Sequence, residues 1–562
     1  MGFGMWFSIA LGAFYFSIAI SFAEKAPYSF AKEATTAPAT DFYDYIVVGG
    51  GAAGCALAAT LSAAAKVVLL ERGGQPYNNP QVTNINAFIP TLLDFSPAAA
   101  AQPFVSTDGV LNHRARILGG GTAINAGFYT RAEPEFIEQA GLDRRRSDES
   151  YRWVEEKVAF RPRVRQWQAA VRGGLLEAGV APDRGFTYDH LVGTKIGGVI
   201  FDENGNRHSA AELLEYADPT RIRVYLHSTV QKILINVSTA GQTRKAYGVE
   251  FKDDKGTIHM AYLRGGSGNE IILSAGALGS PQLLMLSGIG PAQQLKGHGI
   301  PVILDQPFVG QNLADNPLNT VVIPSSRPVE TSLAQAIGIT EVGSYIESAS
   351  GLIESSSFTI AQIFSRSVNQ TIPPPFTLPE NLIIPGLNIS SNIPAGVIGE
   401  KTKGPFSKGY MELKSLDPNE NPRVTFNYFK DRRDLERCVK GMEIIGKIVE
   451  SRAMSSFRHP FATFKALRAL TLTIPNNLRR KHPIAVYSLE QYCIDNVMTI
   501  WHYHGGCRAG EVVDRDFRVI GVDALRVIDG STFSSSPGTN PQATVMMLGR
   551  YMGQNILQNI GN

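Results

Sequence analysis

An α/β fold with a Rossmann-type nucleotide-binding domain is predicted by three features read in order near the N-terminus. They are a short apolar strand, a glycine-rich turn opening an Ala/Leu-rich helix, and a second apolar strand ending in an acid. The first strand is Tyr45 to Val48, apolar throughout, as a strand buried on both faces requires. Gly49-Gly50-Gly51-Ala52-Ala53-Gly54 then fits G-x-G-x-x-G. Gly49, Gly51 and Gly54 permit a tight turn and close approach of main chain to a pyrophosphate, while Ala52 and Ala53 open the helix whose free N–H groups and dipole favour an anion. The second strand, Lys66 to Leu70, ends at Glu71 and Arg72, where a carboxylate is placed to hold a ribose hydroxyl pair. This order predicts a dinucleotide site without separating NAD from FAD.

Composition excludes other classes. The 562 residues are 44% hydrophobic and 18% charged, which supports a sizeable core. A net charge of +3 with no basic stripe argues against nucleic acid as a partner. Residues 1–23 are almost wholly apolar and end in Ser21-Phe22-Ala23, the pattern of a cleavable signal peptide and of secretion. The rival reading is a retained membrane anchor, since about 20 apolar residues can span a bilayer. No later segment is long and apolar enough to span. Asn236, Asn369 and Asn388 each begin an N-glycosylation tripeptide. Of four cysteines, Cys55 falls in the apolar helix and Cys507 in a motif discussed below, which leaves Cys438 and Cys493 as the pair for one disulfide.

Two further glycine-rich blocks follow, "HRARILGGGTAINAGFYTR" (His113 to Arg131) and "GALGSPQLLMLSGIG" (Gly276 to Gly290). In the first, the glycines ending at Gly121 let main chain lie against a flat ligand, and Asn125 offers it a polar contact. Both blocks resemble the signature segments of the glucose–methanol–choline (GMC) FAD oxidoreductases. The likeness runs from about Asp41 to the C-terminus and is nearest to the plant subgroup of HOTHEAD-type dehydrogenases and mandelonitrile lyases. It implies that the cofactor is FAD and that Ile117, Gly121, Asn125, Ala126, Gly127 and Phe128 lie along it. It also implies that Glu71 and Arg72 meet the ribose, the backbone of Val230 the adenine, Asp529 and Gly530 the flavin, and Pro541 and Gln542 the flavin ring.

The stretch Trp501-His502-Tyr503-His504-Gly505-Gly506-Cys507 is similar to the family's W-H-x-x-G-T-C. His502 thereby takes the place of the catalytic histidine, with Trp501 beside the flavin. His504 lies two residues on; in an extended segment alternate side chains share a face, so it is expected toward the substrate. A His-x-His metal pair is the rival reading, but a site needs a third and fourth ligand and none is evident. The partner position is Asn540, and dehydrogenases and some oxidases of the family carry such a histidine–asparagine pair. Hydroxynitrile lyases carry a second histidine there and a substrate-binding tyrosine where this chain has Ile500. Asparagine cannot accept a proton at working pH. The resemblance therefore implies oxidation of a small-molecule alcohol, primary or benzylic or a long-chain ω-hydroxy fatty acid, by hydride transfer to flavin. Cleavage of cyanohydrins with a non-redox FAD is the alternative.

The same likeness implies a discontinuous FAD-binding domain of residues 41–130, 225–318 and 497–562. The substrate domain, residues 131–224 and 319–496, is expected to carry an antiparallel sheet. The Pro-rich stretch 371–392 reads as a surface connection or a lid. The charge run Asp143 to Ser150 reads as a solvated loop. Arg432 and Arg433 are not assigned to the site.

Overall fold

The computed structural model describes residues 28–560, apart from Asn78, Ser267, Pro375, Ile383 and the stretches 239–242, 354–373 and 385–392. The signal-type segment, Asn369, Asn388 and most of the Pro-rich stretch lie outside the described residues.

The central sheet has six parallel strands in the order Ala31–Glu33, Ile222–Leu226, Val67–Leu70, Tyr45–Val48, Glu270–Leu273 and Leu525–Val527. Its middle is fully buried, which explains why Tyr45–Val48 and Val67–Leu70 read as unbroken apolar runs. From Tyr45–Val48 the chain passes through helix Ala52–Leu61 to Val67–Leu70 on one side, and returns much later at Glu270–Leu273 on the other. The reversal opens a crevice at the carboxyl ends of these strands. Helix Ala52–Leu61 starts so near the turn that a Cβ on Gly54 would stand 1.9 Å from the Gly49 carbonyl oxygen. Only glycine fits there. The C-terminal helix Gln542–Ile560 packs across Ala52–Leu61.

A second sheet of seven strands runs in the order Met498–Thr499, Pro317–Pro324, Ile393–Thr402, Ser344–Ile353, Ala336–Ile339, Gly193–Ile196 and Asp183–Phe186. Its pairings are antiparallel except the last, which is parallel. Helix Arg432–Glu450 lies over it with Cys438, Met442 and Ile445 buried. The expected disulfide is present: Cys438 joins this helix to helix Leu489–Asn496 through Cys493, with Cα atoms 6.4 Å apart. Cys55 and Cys507 are buried thiols.

Three expectations are corrected. The boundaries placed at 224/225 and 318/319 cut strands Ile222–Leu226 and Pro317–Pro324, and Ala31–Glu33 joins the parallel sheet although it precedes residue 41. A strand pairs along its whole length, so the chain changes unit in its loops. Met498–Thr499, assigned with the nucleotide-binding segments, instead closes the edge of the antiparallel sheet. The run Asp143 to Ser150 is helical rather than a loop: Asp143 caps helix Arg144–Val158 by accepting from the Arg146 N–H at 2.9 Å.

Candidate active site

One cavity of about 350 Å³ lies in the crevice and extends to the antiparallel sheet. At the nucleotide end its wall is the turn after Tyr45–Val48, Glu71 at the end of the next strand, and Ser274 to Gly276 at the end of a third. The wall also takes in Phe88, Leu92, Glu347, Ile500, His502 and Asn540. Every residue assigned to catalysis, cofactor or substrate from the sequence lines this one cavity, except Gly54 and His504.

His502 is placed by the sheet edge. After Met498–Thr499 pairs with Pro317 and Leu318, Trp501 adopts φ +59°, a conformation that L-residues with side chains avoid. The turn is held by Thr499, whose hydroxyl oxygen accepts from the Trp501 N–H at 2.7 Å. The His502 N–H donates to Asp315 Oδ1 at 2.9 Å, while Tyr428 donates its hydroxyl to the other oxygen at 2.6 Å. Burial pushes the Asp315 carboxyl up to about 6 against these hydrogen bonds. The imidazole of His502 is buried, and that burial, with the charge of Lys401 and then His504, holds it well below the ordinary histidine range. It is a neutral ring at physiological pH.

Asn540 stands just before helix Gln542–Ile560, and its Nδ2 lies 3.4 Å from His502 Nε2. Asn540 Oδ1 and His502 Nδ1 are buried with no hydrogen-bond partner among the described residues. Behind Asn540, Glu347 lines the cavity from strand Ser344–Ile353, with burial raising its carboxyl to about 7 against the charge of Lys401 and the Asn540 amide.

The nucleotide end fits a dinucleotide. A Cβ built on Gly121 or Gly276 meets nothing within 4 Å, so both present bare main chain to open space in the cavity. Glu71 accepts from the Gly50 and Gly73 N–H groups, each at 2.8 Å, one on each carboxylate oxygen. An oxygen can accept a second bond, so capacity for a ribose hydroxyl remains. Arg72 Nη1 and Trp501 Nε1 are buried polar groups without a protein partner on the same wall. Asp529 accepts from Gly276 N–H at 2.9 Å and Ser280 hydroxyl at 2.6 Å, which ties the end of the last parallel strand to helix Gly276–Leu286. Asn125 donates to Gln542 Oε1 at 2.9 Å and accepts from the Gly127 N–H at 2.9 Å, so the first glycine block and the C-terminal segment form one wall.

His504 is placed otherwise than expected. It pairs with Ala314 through main chain, its Nδ1 meets the His502 carbonyl oxygen at 3.0 Å, and it is absent from the cavity wall. The segment between the positive-φ residues Trp501 and Gly505 belongs to no strand, so the alternation of a regular strand does not apply to it. Among the described residues no group of three or more His, Cys, Asp or Glu side chains could hold a metal. Arg432 and Arg433 are spent on exposed ion pairs with Glu436 and Asp431. Sequence reasoning missed Asp315, Glu347 and Lys401. For Lys401 and Glu347 the available signal was a charge within an apolar strand run, as in "VIGEK" and "SYIES"; Asp315 had none.

Comparison with known proteins gives consistent relatives. The models for the N- and C-terminal parts of GMC oxidoreductases match residues 43–318 and 405–549. Protein HOTHEAD of Arabidopsis thaliana is 48% identical over 530 residues, covering 92% of this chain and 89% of that protein. The (R)-mandelonitrile lyase-like protein of the same plant is 48% identical over 94% of this chain and 92% of its own length. Sinalpyl alcohol oxidase Nec3 of Nesocodon mauritianus is 41% identical over 92% of this chain and 89% of its own.

Proposed function

The chain belongs to the GMC oxidoreductase family, and on that premise we propose that His502 and Asn540 are the catalytic pair of an FAD-dependent alcohol oxidoreductase. The reading rests on one observation: His502 Nε2 and Asn540 Nδ2, 3.4 Å apart, share a cavity with the glycine-rich turn and Glu71. Bound FAD supplies the hydride acceptor. An alcohol oxygen bound against both nitrogens from the cavity side accepts a hydrogen bond from Asn540 and gives its proton to Nε2 of the neutral His502. As alkoxide character develops, the Asn540 amide, fixed at the head of helix Gln542–Ile560, stabilises it without reorganising. Glu71 and Arg72 would hold the ribose, and the main chain around Gly121 and Gly276 the dinucleotide. The parallel sheet is assigned as the FAD-binding unit and the antiparallel sheet as the substrate unit.

The cavity wall that holds His502 and Asn540 also includes the apolar Phe88, Leu92 and Ile500, which supports an apolar primary or benzylic alcohol, a long-chain ω-hydroxy fatty acid included. Secretion is proposed from residues 1–23, and is supported by the Cys438–Cys493 disulfide and by the exposed sequon Asn236 at the end of strand Thr229–Val237. Among the described residues no helix is long and apolar enough to cross a membrane.

The competing chemistry, cyanohydrin cleavage, draws on the mandelonitrile lyase-like relative. It requires a proton acceptor where this chain has Asn540. The deciding experiment is anaerobic flavin absorbance on mixing with benzyl alcohol, an ω-hydroxy fatty acid and mandelonitrile in turn. Bleaching by an alcohol supports oxidation. An oxidised flavin throughout, with cyanide released from mandelonitrile, makes the protein a lyase.

A further inference from the structure

Behind Asn540 lies a buried charge that no step above uses. Lys401 stands on strand Ile393–Thr402 and is opposite Tyr345, and Glu347 is opposite Gly399, so Lys401 and Glu347 form a diagonal pair on one face of the antiparallel sheet. Lys401 is fully withdrawn from solvent, while Glu347 is partly buried on the cavity wall. The Lys401 ammonium donates to the carbonyl oxygens of Gly538, at 2.8 Å, and Thr539, and reaches the Ser536 hydroxyl oxygen at 3.3 Å. Each of these partners belongs to the turn that delivers Asn540. Glu347 meets that turn from the cavity side, with its Oε1 buried and without a protein partner.

An ammonium costs free energy to bury, and an apolar side chain would hold two sheet strands at least as well. What an apolar side chain cannot do is grip two consecutive carbonyls of a turn. We infer that Lys401, with Glu347 as its counter-charge, is a positioning residue that clamps the Ser536–Thr539 turn so that Asn540 Nδ2 stays aimed at His502 Nε2. The groups that act on Lys401 from neighbouring elements are Glu347, Asp315 and Glu133, all favouring its charge, while burial lowers its pKa to about 7. In turn its charge disfavours protonation of His190, His502 and His504. The clamp therefore adds to the burial that keeps His502 neutral. The kinetic arm of the test rests on the alcohol-oxidising reading; the structural arm does not.

The test compares flavin-loaded wild type with Lys401→Met, Glu347→Gln and the double variant. Hydrogen exchange read by mass spectrometry should show faster deuterium uptake in Lys401→Met over residues 534–542, with the turn at residues 45–55 unchanged. Anaerobic reduction of the flavin by benzyl alcohol should slow roughly 10- to 100-fold in Lys401→Met, with the half-saturating alcohol concentration little changed. In Glu347→Gln the alkaline limb of the reduction rate should move to lower pH by about one pH unit, since the ammonium loses its counter-charge. Wild-type exchange over 534–542 in Lys401→Met overturns the inference, as does a loss confined to alcohol binding. Should Lys401→Met fail to fold, the unmoved pH profile of Glu347→Gln overturns it instead. If no alcohol reduces the wild-type flavin, the alcohol reading fails, and the exchange measurement alone decides the clamp.

Discussion

Replacing His502 by Ala is the perturbation whose outcome the site constrains most tightly. The ring is buried, neutral, and presents Nε2 to the cavity 3.4 Å from Asn540. His113, the other histidine on the cavity wall, has its Nε2 against the Leu92 carbonyl oxygen at 2.8 Å, and His504 is off the wall. No second imidazole is placed to replace the lost base. A positioned general base contributes roughly 10²- to 10⁴-fold, equivalent to about 3–5 kcal/mol of transition-state free energy. With the base gone, the alcohol must lose its proton to solvent hydroxide. The rate constant for flavin reduction should then fall by that factor, and its ratio to the wild-type value should rise about tenfold per pH unit. Single-turnover stopped flow with benzyl alcohol between pH 6 and 9 measures both quantities, and thermal melting monitored by flavin fluorescence verifies that the variant is folded. A loss of less than about tenfold, or a deep loss with no pH slope, would refute the assignment of His502 as base.

Other perturbations test other parts. Asn540→Ala removes a hydrogen-bond donor but no proton acceptor, so flavin reduction should slow by about 10²-fold without acquiring the pH slope of His502→Ala; a matching slope would contradict the division of roles. Glu400, buried against the Ser344 and Thr402 hydroxyls, has its carboxyl pushed up to about 8 by burial. Its folded form keeps a proton that the unfolded chain loses near pH 4.5, so stability falls as pH rises from there toward 8. Glu400→Gln should flatten that decline by a few kcal/mol (an order-of-magnitude figure), and Tm measured from pH 5 to 8 would show equal slopes if the reasoning is wrong. Cys438 and Cys493 are 55 residues apart, so opening the disulfide in Cys493→Ser should cost about 4 kcal/mol by loop entropy, read from denaturant unfolding.

The nucleotide-binding half was legible in the amino-acid order alone. Tyr45 to Val48, the G-x-G-x-x-G turn, Val67 to Leu70 and Glu71 are contiguous, and the chemistry of each position is local: apolar where a strand is covered on both faces, glycine where helix meets turn, acid at a strand end. The His502 and Asn540 pair was legible for a different reason, because their motifs resemble those of a family, and spacing alone would not have joined them. Tertiary structure decided what depends on which face a strand turns inward. Strand alternation would turn His504 to the same face as His502, but the segment between the positive-φ residues Trp501 and Gly505 is not a regular strand, and His504 lies off the cavity wall. Glu347, Lys401 and Asp315 come from three separate segments, and a charge inside an apolar run does not by itself say whether it will be buried beside the Asn540 turn or meet solvent. The boundaries between units also waited on pairing, since Ile222–Leu226 and Pro317–Pro324 are held by partners far away in the chain. Burial is set by the neighbours a residue acquires, and those neighbours are fixed only when the sheets close.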